Sequence, residues 1–206
     1  MGWTKNFGKP EGTLGKMILT SMNSGHTPIS NWGLPHYDWK QDTAALDIGC
    51  GGGMNVRRML ELSPKGKVAG IDISDESVKK SREVNRGELG KRCSIKKGSA
   101  DSIPYQDEKF DVVTAFETIY FWPDIPKAFA EVLRVLKPGG TFMVVCEMSD
   151  PDCIWSKMVE GIKIYTPEQL KGFFTEAGYQ DIKIDRTRKV WVCVTGKKHR
   201  HSDCGF

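Results

Sequence analysis

The 206-residue chain predicts an α/β fold, a doubly wound, mostly parallel sheet of seven strands closed by a C-terminal antiparallel hairpin. Three observations carry that expectation. Short apolar runs alternate with segments of helical period through most of the chain, the pattern of a parallel sheet covered on both faces. The first run ends in a glycine-rich loop, Gly49-Cys50-Gly51-Gly52-Gly53. Only Thr187-Arg188-Lys189 separates the last two runs, a link too short for a parallel crossover.

The strands are expected at 44–48, 67–72, 92–96, 110–116, 140–147, 180–186 and 190–196. Between them, Val56, Met59 and Leu60 share one helical face after the glycine loop. Ser74-Asp75-Glu76 opens a more polar helix running to about Arg86. Ile125, Phe129, Val132, Leu133 and Leu136 make a broad apolar stripe, with Asp124 as its N-cap. Leu170, Phe173, Phe174 and Ala177 make another; Thr166-Pro167-Glu168-Gln169 gives it a capping box, and Gly178 ends it.

Residues 1–41 stand outside the alternation and are read as an N-terminal lid segment, with 42–206 as the sheet domain. Residues 13–24 are weakly helical. Residues 25–39 are rich in Gly, Asn, His and Trp and read as a loop. The basic end, Lys197-Lys198-His199-Arg200-His201, reads as a solvated, frayed tail.

Composition narrows the function classes. Hydrophobic residues are 39% and charged residues 27%, the balance of a soluble globular domain. No run of eighteen apolar residues is present, so no membrane span is expected. Met1–Gly12 lacks an apolar signal core. The six cysteines form no C-x-x-C pair and read as free or buried thiols in a reducing cytoplasm. A net charge of +4 does not call for a nucleic-acid partner.

The glycine loop is a built ligand site. Glycines there allow positive φ and close approach, and the helix behind offers unpaired N–H groups to a negative group. An adenosine-type cofactor suits it, and two kinds compete. A dinucleotide site would read G-x-G-x-x-G, but the sixth position from Gly49 is Met54. The pattern is instead G-x-G-G-G, with Asp47 two residues ahead.

At these residues the chain resembles the class I S-adenosylmethionine-dependent methyltransferases, whose first motif is an acid, an apolar residue, then G-x-G-x-G. Asp47, Gly49, Gly51 and Gly53 match it. Val68-Ala69-Gly70-Ile71-Asp72 resembles the second strand, whose terminal acid meets the ribose diol. Gly98-Ser99-Ala100-Asp101-Ser102-Ile103-Pro104-Tyr105 resembles the adenine loop. Ser99 stands where many relatives have Asp, which leaves the adenine amino group to Asp101 or to backbone. Phe110–Phe116 resembles the fourth strand, and Leu136-Lys137-Pro138-Gly139-Gly140 the turn into the fifth. The resemblance spans roughly residues 42–196 and implies a Rossmann-like fold with S-adenosylmethionine as cofactor.

The resemblance also implies the site. Asp47, Gly49, Cys50, Gly51, Gly53, Asn55, Asp72, Ile73, Ser99, Ala100, Asp101, Phe116 and Glu117 are the cofactor-binding candidates. Methyl transfer is an in-line displacement in which most of the acceleration can come from orientation, so no fixed base is required. Glu117 and His26 are the catalytic candidates. Glu117 follows the fourth strand, where open α/β sheets bind ligands, and histidine has a suitable pKa. Trp32, His36, Tyr120 and Trp122 are the candidates for the acceptor pocket, although aromatics and loop histidines commonly just pack or lie on the surface. No metal site is expected.

The fourth strand ends in Phe116-Glu117-Thr118-Ile119, not the Asp/Asn-Pro-Pro-Tyr/Phe of amino-group methylation on nucleic-acid bases. No Pro-Cys dipeptide is present either. A small-molecule acceptor is therefore the first expectation. A protein or RNA acceptor is the second, and a cofactor-binding partner subunit without transferase activity is the third. Oligomeric state stays open.

Overall fold

The computed structural model describes residues 26–147, 149–152, 162–187 and 191–200. Its centre is one seven-stranded sheet in the order β3-β2-β1-β4-β5-β7-β6. The strands are β1 (Ala44–Ile48), β2 (Lys67–Asp72), β3 (Cys93–Lys97), β4 (Phe110–Phe116), β5 (Leu136–Cys146), β6 (Gln180–Arg186) and β7 (Val192–Lys197). The first five run parallel, and β7 pairs antiparallel with both β5 and β6. The chain reverses direction across the sheet between β1 and β4, the switch point at which such sheets open a crevice.

The helices cover both faces. On one side α1 (Thr27–Gly33), α2 (Met54–Leu62) and α3 (Asp75–Val84) bury Ile29, Val56, Met59 and Val78 with Val112, Met143 and Val145 of the sheet. On the other, α4 (Ile125–Val135) and α5 (Pro167–Glu176) bury Phe129, Val132, Leu170 and Phe174 against Val113, Phe142 and Val194. The caps read from the sequence form. Asp124 accepts from the Lys127 N–H at 3.0 Å, Ser74 accepts from Ser77, and Thr166 and Gln169 close a capping box.

Three expectations change. Residues 25–39 are not simply a loop: α1 is followed by a 3₁₀ turn at Leu34–His36. The buried face of α1 consists of Ile29, Ser30 and Gly33, with Leu34 buried next to it. Two of these are small, so the helical period does not show as an apolar stripe. Their size is what lets α1 lie close to the sheet. A Cβ on Gly33 would stand 2.7 Å from Phe116 Cε1 and 3.0 Å from Val145. Pro28 starts the helix, and Trp39 Nε1 donates to the Leu34 carbonyl at 2.8 Å beyond its end.

Second, β5 begins at Leu136 rather than after a turn. Its register against β4 shifts between Phe110 and Val112, and Gly139 at φ +76° takes up the irregularity. Third, Lys197 and Lys198 are not frayed. Lys197 belongs to β7; the Lys198 N–H donates to the Gly140 carbonyl at 2.8 Å, and its Nζ to the Leu136 carbonyl at 2.9 Å. Residues 13–24 and 201–206 lie outside the described residues.

Cys50, Cys93, Cys146 and Cys193 are buried free thiols, the last three in strands and Cys50 in the glycine loop. Among the described residues no helix is long and apolar enough to cross a membrane.

Candidate active site

The loop after β1 climbs onto α2 through three left-handed glycines, Gly49 (φ +70°), Gly51 (φ +49°) and Gly53 (φ +82°). Each serves differently. A Cβ on Gly49 would strike Thr118 Oγ1 at 2.2 Å, and one on Gly53 would strike the Ser81 side chain at 2.4 Å. A Cβ on Gly51 would meet nothing within 4 Å, because Gly51 borders the cavity. That open cradle is where a ligand lies against bare backbone.

Asp72 ends β2 opposite the cradle. Its Oδ2 accepts from the Gly51 N–H and its Oδ1 from the Ser74 N–H, both at 2.9 Å. The carboxylate thus ties the loop to the start of α3. Burial raises its pKa, and hydrogen bonds from the Ser74, Gly51 and Ile73 backbone and the Ser77 side chain oppose that rise. Asp47, fully buried beneath the loop, is pushed up to about 7 by desolvation while Thr114 Oγ1 donates to it at 2.7 Å.

A cavity of about 320 Å³ opens over the strand ends at this point. Asp47, Gly49, Cys50, Gly51, Asn55, Asp72, Ile73, Ser99, Ala100, Phe116 and Glu117 all border it. His26 and Trp122 border it as well. The structure therefore gathers most of the residues named from the sequence around one space.

Five named residues are not among its lining. Gly53 sits behind the loop, against Ser81 and Asn85. Asp101 is turned aside: it accepts from Ser99 Oγ at 2.5 Å and faces Lys127 at 3.7 Å. Tyr120 is buried, with its hydroxyl 3.3 Å from Glu117 Oε1, so it braces a cavity residue instead of forming the wall. Trp32 packs edge-on against His36 and tilted against Trp191. His36 bridges the Gly33 carbonyl and Asp185 Oδ2, each at 3.0 Å, and so belongs to the packing of α1 on the hairpin. Trp122 combines both readings: it lines the cavity and stacks on Phe142 with rings 6° from parallel.

Glu117 is the most unusual side chain of the site. It has φ +57°, a left-handed conformation rare for a residue with a Cβ. Its Oε1 accepts from the Glu147 backbone N–H and faces the Tyr120 hydroxyl. Desolvation pushes its pKa up to about 8, with the Glu147 carboxylate adding to the rise. His26 is half-buried, and burial lowers its pKa against the pull of Glu147. Ligand atoms of His26, Glu117 and Glu147 lie within 4.8 Å of one another. The sequence reading missed Glu147, although it ends the strand beside the one that presents Glu117. It missed Arg58 too, a cavity residue of α2 held by Asn55 Oδ1 at 3.1 Å and Thr27 Oγ1 at 3.0 Å.

Comparison with known proteins shows the family. Residues 40–178 match the family described as Methyltransferase domain. An uncharacterized methyltransferase of Schizosaccharomyces pombe is 33% identical over 183 residues, covering 78% of this chain and 65% of that protein. Demethylmenaquinone methyltransferase of Staphylococcus aureus (strain JH9) is 30% identical over 177 residues, covering 70% and 71%. A SAM-dependent methyltransferase from Aquifex aeolicus superposes with a TM-score of 0.73 at 20% identity, covering 88% of this chain and 97% of that one. The chain spans 65%, 54% and 37% of three of the curated relatives it matches. It belongs to the class I S-adenosylmethionine-dependent methyltransferase family, with S-adenosylmethionine as the cofactor.

Proposed function

We propose that this protein transfers a methyl group from S-adenosylmethionine to a small-molecule acceptor. One observation carries the reading: the glycine cradle with Asp72, and the polar pair Glu117 and His26, face the same cavity. The cofactor fits the residues present, because Gly51 leaves backbone bare and Asp72 offers acceptors to a diol. Ile73, 39% exposed at the cavity edge, offers an apolar surface for a base. When bound, S-adenosylmethionine supplies an electrophilic methyl group on a sulfonium.

The protein's share of the work is orientation and proton handling. Phe121, Trp122 and Pro123 form an apolar wall, and Glu117 and His26 stand where an acceptor proton must go. Arg58 provides a positive group beside the loop for the cofactor's carboxylate. Asp47 acts through the loop it supports. Residues 1–41 serve as a lid in this reading, with His26 and Ser30 contributing to the cavity wall. The buried thiols suit a reducing compartment, the cytoplasm.

The names of relatives such as demethylmenaquinone methyltransferase and sterol 4-C-methyltransferase support a small acceptor. The test is conversion of S-adenosylmethionine to S-adenosylhomocysteine over a panel of metabolites. Turnover dependent on one acceptor class supports the reading. Cofactor binding with no turnover on any metabolite, protein or RNA substrate points to a partner subunit instead.

A further inference from the structure

His26, Glu117 and Glu147 reach one point from three parts of the chain: the residue before α1, the end of β4 and the end of β5. Among the described residues neither carboxylate forms an ion pair with a lysine or arginine. Instead they crowd each other. Glu117 Oε1 accepts from the Glu147 backbone N–H, and Glu147 Oε1 from Trp191 Nε1 at 3.3 Å. Two carboxylates held this close raise each other's energy unless a proton or a cation joins them.

We propose that this cluster is the recognition site for a primary amine, bound as its ammonium and methylated on nitrogen. The proposal rests on the methyltransferase reading above and names its acceptor class. The three ligand atoms lie within 4.8 Å of one another, close enough to face one cation. In a methyl-transfer cavity, the cation that can itself take the methyl group is an ammonium.

The roles divide by chemistry. Glu117 and Glu147 accept hydrogen bonds from the ammonium and neutralise it. His26, with no side-chain hydrogen bond to another described residue, takes one proton. The proton on the side of the sulfonium reaches a His26 ring nitrogen through a water, and the lone pair it leaves there forms the N–C bond as the methyl C–S bond breaks. The C–S electron pair stays on sulfur, and His26 returns its proton to water. Phe121 and Trp122 at the cavity wall suit an aryl or alkyl body behind the nitrogen.

The experiment titrates benzylamine and benzyl alcohol into the full chain saturated with S-adenosylhomocysteine, by calorimetry. The amine should bind at least about 10-fold tighter than the alcohol. Glu147→Gln should weaken amine binding about 10- to 100-fold, the range for a charged hydrogen bond, and leave alcohol and S-adenosylhomocysteine affinity unchanged. Equal binding of amine and alcohol, or no amine binding, overturns the proposal. A Glu147→Gln protein that loses S-adenosylhomocysteine affinity also overturns it, because the cluster then serves the cofactor's own ammonium. So does stoichiometric Mn²⁺ or Zn²⁺ binding that Glu147→Gln abolishes. Failure of S-adenosylhomocysteine itself to bind the wild-type chain is a failure of the underlying methyltransferase reading, and is seen before any amine is added.

Discussion

Gly51 and Asp72 make one hydrogen bond to each other and together define the cofactor face. Their substitutions should fail differently. Gly51→Val places a branched side chain at φ +49°, facing open cavity, so it strains the loop and fills the ligand's path. S-Adenosylhomocysteine binding should become undetectable by calorimetry. Asp72→Ala leaves the path clear but strips acceptors from the Gly51 and Ser74 N–H groups. It should weaken binding by about 1.5–3 kcal/mol and lower stability by about 1–2 kcal/mol, read by calorimetry and chemical denaturation. Glu117 carries a pH signature. Its pKa, raised from 4.5 to about 8 by burial, means that the folded protein binds more protons than the unfolded chain between those values. Its contribution to stability therefore falls as pH rises through that window. Glu117→Gln removes the titration, so its melting temperature should gain on wild type by about 8–15 °C on going from pH 5 to pH 9. An unchanged difference between the two pH values would contradict the assignment.

The elements legible in the sequence were those whose pattern is local. β1, β2 and β4 are apolar runs with clear ends, and the caps at Asp124 and Thr166 are four-residue signals. α1 was illegible because its buried face is Ser30 and Gly33 as much as Ile29. Small residues signal close packing only once the partner surface is known, here Phe116 and Val145. Gly33→Leu should therefore cost about 1–3 kcal/mol or more by overpacking, measured by denaturant unfolding. Because Phe116 also lines the cavity, the same variant should weaken S-adenosylhomocysteine binding. The site shows the same division. Gly49, Gly51 and Asp72 announce themselves by spacing along the chain. Glu147 meets Glu117 only through the pairing of β4 with β5, and His36 meets Asp185 across 149 positions. No local pattern encodes such meetings.

For the whole molecule, the sheet order gathers the glycine loop, Asp72, Glu117 and His26 around one crevice, with Glu147 beside Glu117 at its rim. The N-terminal segment enters that architecture twice, through Ile29 and Leu34 in the core and through His26 and Ser30 at the cavity. Removing residues 1–39 should accordingly destabilise the protein by several kcal/mol, because two large buried side chains leave. Removing residues 1–25 keeps α1 whole and isolates whatever the preceding segment adds, as the ratio of turnover to cofactor affinity. Full turnover after that shorter deletion would confine any closing function to residues 26–39.

The most direct test of the central claim is calorimetric titration of the intact chain with S-adenosylhomocysteine and, separately, with NAD. One site for S-adenosylhomocysteine, lost in Gly51→Val and weakened in Asp72→Ala, with no NAD binding, is the predicted result. NAD binding at the glycine loop with none for S-adenosylhomocysteine would contradict it.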